Sequence, residues 1–211
     1  MTSAMPGEDT AGSEDRAIAA ERLTFFSDAV VAIAITLLAL GLPLPEGATS
    51  AELFRSLGDH QSEYISFLIS FVVIGGHWRA HHRLFHYVST LDGGLIRLSF
   101  GWLLMQVIMP FATKVIAEDG AFAFRFVFYA LVQVVALTVF LLMTWRIQHN
   151  HHYRADTPPE LFGRTYRGVG VMVAAFAVSI PVAFFTQWAY ACWLVVPVVT
   201  NLLLKARGRA T

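Results

Sequence analysis

Charge and cysteine are what this 211-residue chain has least of. Only 14% of its residues are Asp, Glu, Lys or Arg, and 15 basic residues balance 15 acidic ones. A neutral chain offers no electrostatic footprint for nucleic acid. The single cysteine, Cys192, excludes an intramolecular disulfide and a cysteine-rich metal site. It lies in an apolar run and reads as a small packing residue. No basic stretch leads into an apolar core before Glu21, so a signal peptide is not expected. Also missing are a Walker phosphate loop, a dinucleotide glycine pattern and a Gly-x-Ser-x-Gly nucleophile elbow. The Thr-Val-Gly-Tyr-Gly carbonyl filter of ordinary potassium channels is absent too.

What is present is apolar surface. Hydrophobic residues make up 56% of the chain, with 17 Phe and 5 Trp. A soluble domain of this size has no use for so much apolar surface, and several runs are long enough to cross a bilayer, which takes about 20 helical residues. The expected architecture is all-α and membrane-embedded, with six spans near 23–42, 64–78, 95–116, 124–145, 169–185 and 188–204. Residues 1–20 are expected to be a disordered cytosolic tail, 21–205 the membrane domain, and 206–211 a cytosolic C-terminal tail. With six spans, the 15 basic residues divide unequally: Arg55, Lys114 and Arg125 fall on one side and all the others on the opposite side. The positive-inside rule then puts both termini in the cytoplasm of a multi-pass cell-membrane protein.

The stretch from Arg22 to Leu42 organises the rest. It carries no charge from Ala29 to Leu42, yet Asp28 lies at the start of the span. An ionisable group there needs a partner away from lipid. At ~100° per residue, Ile33, Leu37 and Leu40 share one narrow stripe above Arg22 and Phe26, with Thr36 at its edge. Asp28 points nearly the opposite way. A partner is available at matching depth, where the second span ends in His77-Trp78-Arg79-Ala80-His81-His82. A buried ionic cluster of Arg22, Ser27 and Asp28 with His77, His81 or His82 is therefore expected. The uncharged stripe is left as the candidate surface for an ion.

Two other chemistries fit the same residues. His77-x-x-x-His81-His82 has the spacing of a histidine box in membrane di-iron enzymes, and His149, His151 and His152 could form a second box. Against this, a third box is missing and the first helix would be left unexplained. A proton-coupled carrier, relaying protons through Asp28 and the histidines, is the other alternative.

Arg22-x-x-x-Phe26-Ser27-Asp28, followed by Ala-x-x-Ala-Ile-Ala-Ile-Thr-Leu-Leu, resembles the signature of the transmembrane protein 175 family of potassium channels. Trp78-x-x-His81-His82-x-x-Phe85 is similar to that family's second span. The resemblance implies a homotetrameric, potassium-selective or potassium-preferring channel in the membrane lipid, with the first helices lining the axis. It implies no enzyme activity and no cofactor beyond the permeant potassium ion. Ile33, Leu37 and Leu40 match the positions of a hydrophobic gate, and Thr36 matches a hydroxyl ring that aids potassium preference. Arg22, Phe26, Ser27, Asp28, His77, Trp78, His81 and His82 match a structural motif that holds the first helix. Gly41 departs from the family's pattern at the extracellular mouth.

Overall fold

The computed structural model describes residues 8–207, and these form seven α-helices and one short 3₁₀ turn. Long helices form where apolar residues run without a break, and prolines mark two of the connections between them, Pro43 with Pro45 and Pro158 with Pro159. The first, α1 (Glu8–Ala39), ends just before Pro43 and Pro45, which lack the N–H needed to continue a helix. Its backbone is helical from Glu8, within the stretch expected to be a disordered tail, and Ala11, Ala17, Ala19 and Ala20 favour that conformation. Residues 1–7 and 208–211, the outer parts of the two expected tails, lie outside the described residues.

A short amphipathic helix, α2 (Ser50–Asp59), crosses the loop that follows. It starts at a capping box in which Thr49 accepts from the Glu52 N–H and Glu52 accepts from the Thr49 N–H. Then come α3 (Gln61–Phe85), α4 (Gly93–Ala117), α5 (Phe122–His149) and α6 (Glu160–Val182). The 3₁₀ turn (Gln187–Tyr190) leads into α7 (Ala191–Arg207). One expected boundary shifts, and one proline leaves its helix whole. Pro110 lies inside an unbroken α4, and α6 begins at Glu160, ahead of the Val169 start expected from hydropathy. The early turns of α6 carry Arg164 and Arg167, which hide a helix from an apolarity criterion without preventing one.

Among the described residues, four helical segments are long and apolar enough to cross a membrane: Ile18–Ala39, Gly93–Ala117, Phe122–His149 and Glu160–Val182. The 25-residue α3 is long enough, but the cluster from His77 to Arg83 dilutes its apolar character. The 17-residue α7 is apolar but shorter.

Packing runs α1–α3–α4–α5–α6–α7, with α4 and α5 in the middle of the bundle. Trp102, Phe126, Tyr129, Phe140 and Phe176 fill the centre and are almost wholly enclosed. Some of the polar atoms buried there pair with one another. Thr113 donates to Ser70 at 2.7 Å, and Ser70 lies 3.1 Å from the Tyr129 hydroxyl. Such interhelical bonds are worth about 1 kcal/mol each where no water can compete.

Candidate functional site

The first helix has two apolar faces, and only one is covered. Ala20, Ser27, Val31, Ala34 and Leu38 recur at helical spacing and are buried against α3 and α4. Half a turn away lie Ile33, Thr36, Leu37 and Leu40, all exposed, with Ile33 at 59%, Leu37 at 40% and Leu40 at 80% of full accessibility. Arg22 and Phe26 are exposed below them, and the Phe26 ring also meets Phe100 of α4 at 5.9 Å. Thr36 donates its hydroxyl to the Ile33 carbonyl at 2.8 Å. Its oxygen lone pairs therefore remain available to a ligand on the exposed side. A helix apolar all round is made to be enclosed, and within one chain α1 is enclosed on one side only.

Above the stripe, Gly41 has a structural reason. A side chain there would collide with the Lys114 side chain, whose Cε lies 2.6 Å from the position of a Cβ. The glycine lets Lys114 of α4 cross the end of α1.

Below the stripe, Asp28 sits on the flank of α1 and holds it to α3. The Trp78 indole N–H donates to Asp28 Oδ1 at 2.9 Å, and His82 Nδ1 lies 3.7 Å from Oδ2. Of the three histidines expected as alternatives it is His82 that reaches Asp28, while Ser27 and Arg22 stand outside the cluster. Ser27 is buried but donates back to the Leu23 carbonyl at 2.8 Å. His77 meets the Gln106 amide of α4 at 3.2 Å, and His81 is stacked between Phe85 and Trp102 with neither ring nitrogen hydrogen-bonded. Arg22 makes no bond to any of these groups among the described residues. The physical reason is the phase of α3. Trp78 and His82 share a face at i, i+4 and look toward α1, while His77 and His81, ~100° away, look into α4.

That divergence also separates the histidines of the supposed metal boxes. His149 stacks on Trp145 at 5.0 Å, His151 lies 3.3 Å from the Tyr153 hydroxyl, and His152 binds Asp92. Among the described residues no three His, Cys, Asp or Glu side chains converge as metal ligands.

The Asp92 contact belongs to a knot that the sequence reading missed. Asp92 caps α4, accepting from the Leu95 N–H, and it also accepts from Arg146 Nε at 2.8 Å, Asn150 at 3.1 Å and His152 Nε2 at 3.0 Å. Thr90 lies 2.8 Å from the other His152 nitrogen. The Arg146 guanidinium above all, then His152 and the capping N–H, hold the Asp92 carboxyl well below the usual carboxylate range despite partial burial. The knot ties the α3–α4 and α5–α6 loops together at the end of the bundle that also holds Asp28. Its one sequence signal was Asp92 placed as an N-cap before an apolar run.

Residues 22–110 match the family described as the endosomal/lysosomal potassium channel TMEM175. A potassium channel of Streptomyces collinus is 34% identical over 144 residues, spanning 65% of this chain and 70% of its own. One from a Chryseobacterium species is 36% identical over 93 residues, covering 44% of this chain and 46% of its own. The crystal structure of a lysosomal potassium-selective channel TMEM175 homolog from Chamaesiphon minutus superposes with a TM-score of 0.72 at 25% identity. It covers 86% of this chain and 96% of that one. Fold and relatives together make this an all-α multi-pass membrane protein.

Proposed function

The chain belongs to the TMEM175 family of potassium channels, and on that premise we propose that it conducts potassium ions across the cell membrane. It is a channel and not an enzyme, as its family is. In this reading six helices span the bilayer, α3 and α7 joining the four long apolar ones, and both termini face the cytoplasm. Four copies assemble with α1 of each facing a shared axis. One observation carries the reading: the stripe of Ile33, Thr36, Leu37 and Leu40 points away from the bundle, while the opposite face of α1 packs on α3 and α4.

A single stripe cannot enclose a pore, but four can. The aliphatic side chains of Ile33, Leu37 and Leu40 narrow the axis into a hydrophobic gate, which closes by excluding water. Thr36 supplies hydroxyl oxygens between the aliphatic rings, where a partly dehydrated cation gains from oxygen ligands. Asp28 plays another part. Bonded to Trp78 on the flank, it fixes the rotation and depth of α1 against α3 and leaves the aliphatic stripe to meet the ion.

The test is passive flux. Purified protein in liposomes under a potassium gradient, with a proton-sensitive dye, is expected to pass potassium without stoichiometric proton movement. Proton movement in fixed ratio to potassium would instead identify a coupled carrier.

A further inference from the structure

Away from α1, the bundle contains a cleft of about 380 Å³ between α3 and α6, floored by α4 and α5. Its wall is apolar over most of its length, with Val72, Trp102, Phe140, Met172 and Phe176 among the lining residues. One end is different: Arg79 and Arg83 of α3 and Arg164 of α6 stand around it, and no carboxylate lines the cleft. Among the described residues the ion pairs are His82–Asp28, Arg146–Asp92 and His152–Asp92, none of which uses these three arginines.

The length of the cleft matches one leaflet. From Arg83 to Val72 the α3 backbone rises ~16 Å at 1.5 Å per residue, about half of the ~30 Å hydrocarbon thickness. The arginines stand at the end of the bundle that holds most of the chain's basic residues, where an anionic headgroup of the inner leaflet would lie. Two glycines keep the cleft open, Gly76 on α3 and Gly168 on α6. A Cβ at either meets nothing within 4 Å, and neither has a positive φ. Glycine weakens a helix relative to alanine, and here neither backbone geometry nor neighbour contact calls for it. What the two glycines leave is space.

We propose that this cleft binds one anionic phospholipid of the cytoplasmic leaflet, its phosphate held by Arg79, Arg83 and Arg164 and an acyl chain lying over Gly76 and Gly168. A guanidinium matches a phosphate with two parallel N–H donors, and a cluster of three favours an anionic headgroup over a zwitterionic one at the edge of the hydrocarbon. The apolar wall, made by residues of both α3 and α6, takes the acyl chain. The placement in the inner leaflet rests on the orientation given under Proposed function; the charge and shape of the cleft do not.

Native mass spectrometry of the purified full-length protein, titrated with phosphatidylglycerol or phosphatidylcholine, tests this. Phosphatidylglycerol is expected to be retained in preference, at one per chain. Removing the arginines (Arg79→Ala, Arg83→Ala, Arg164→Ala) should weaken it by roughly a factor of five each, on the order of 100-fold together. Gly76→Leu with Gly168→Leu should evict the lipid while leaving the oligomer intact, since a Cβ at either position meets nothing within 4 Å. Equal retention of the two lipids, or wild-type retention by both variants, would overturn the proposal. So would displacement of the lipid by equimolar inorganic phosphate, which would make free phosphate the ligand. Loss of the oligomer in the leucine variant would overturn it too, by showing that a neighbouring subunit fills the cleft. Lipid retention is read without any flux measurement, so a failure of the channel reading leaves this result standing.

Discussion

The bond from Trp78 to Asp28 should be the stronger of the two that hold α1, and a double-mutant cycle can separate them. Trp78→Phe keeps an aromatic ring beside His82 and removes the N–H that donates to the carboxylate. A hydrogen bond to a charged group contributes about 1.5–3 kcal/mol. Trp78 is 40% exposed, so the lower end of that range applies. His82 lies 3.7 Å from the carboxylate with its side chain 53% exposed, which is the regime of surface ion pairs worth at most about 1 kcal/mol. Pairing Asp28→Ala with Trp78→Phe should therefore give a coupling energy of about 1.5 kcal/mol, against less than ~1 kcal/mol with His82→Ala. The assay is denaturant unfolding in detergent followed by circular dichroism, because losing a tryptophan alters fluorescence. A coupling to His82 equal to or larger than that to Trp78 would refute the assignment of Asp28 to the indole.

The Asp92 knot and the α1 stripe give further expectations. A Cβ at position 94 would collide with the Arg146 guanidinium, so Gly94→Ala should swing that flexible side chain off Asp92 while the helices stay packed. The expected loss in unfolding titrations is about 1.5–3 kcal/mol, and Arg146→Ala should lose little more when Gly94→Ala is already present. Because the Asp92 carboxyl is held below its ordinary value, folded protein keeps it ionised where unfolded chain takes up a proton. The stability it contributes is full above pH ~4 and falls below that by up to ~1.4 kcal/mol per pH unit. Melting temperatures of wild type should therefore drop more steeply with acid than those of Arg146→Ala, and parallel curves would contradict the knot. Ile33→Ala and Leu37→Ala should raise potassium flux in liposomes and blunt its preference over sodium, and Leu104→Ala, on the exposed face of α4, should change neither.

The division of α1 into two faces was legible because helical periodicity is a property of one segment. Ile33, Leu37 and Leu40 fall on one line whatever surrounds them, and the burial of Val31, Ala34 and Leu38 on the other side follows the same geometry. The partner of Asp28 was half legible. The depth match to the end of α3 is seen in the bond from Trp78 to Asp28. Which face of α3 turns toward α1 was not in the pattern, since His77 with His81 and Trp78 with His82 form two adjacent polar faces ~100° apart, either of which suits a carboxylate. The rotation is set by α4, whose Gln106 and Trp102 take up His77 and His81. The Asp92 knot was hidden for a different reason. It joins residues 54 to 60 positions apart in sequence, and its members look like ordinary loop polars until the helices bring the loops together. The cleft between α3 and α6 depends in the same way on two helices that never follow one another in the chain.

The central claim is that the uncharged stripe of α1 faces the ion. Its most direct test is thiol accessibility, made simple by the presence of a single native cysteine, Cys192. In a Cys192→Ser background, Ile33→Cys, Leu37→Cys and Leu40→Cys are each reconstituted and treated with a charged, membrane-impermeant thiol reagent during potassium flux. The account predicts that modification at these positions blocks flux, and that Leu104→Cys is insensitive. Flux that survives modification at all three stripe positions, or that is blocked as strongly at position 104, would contradict it.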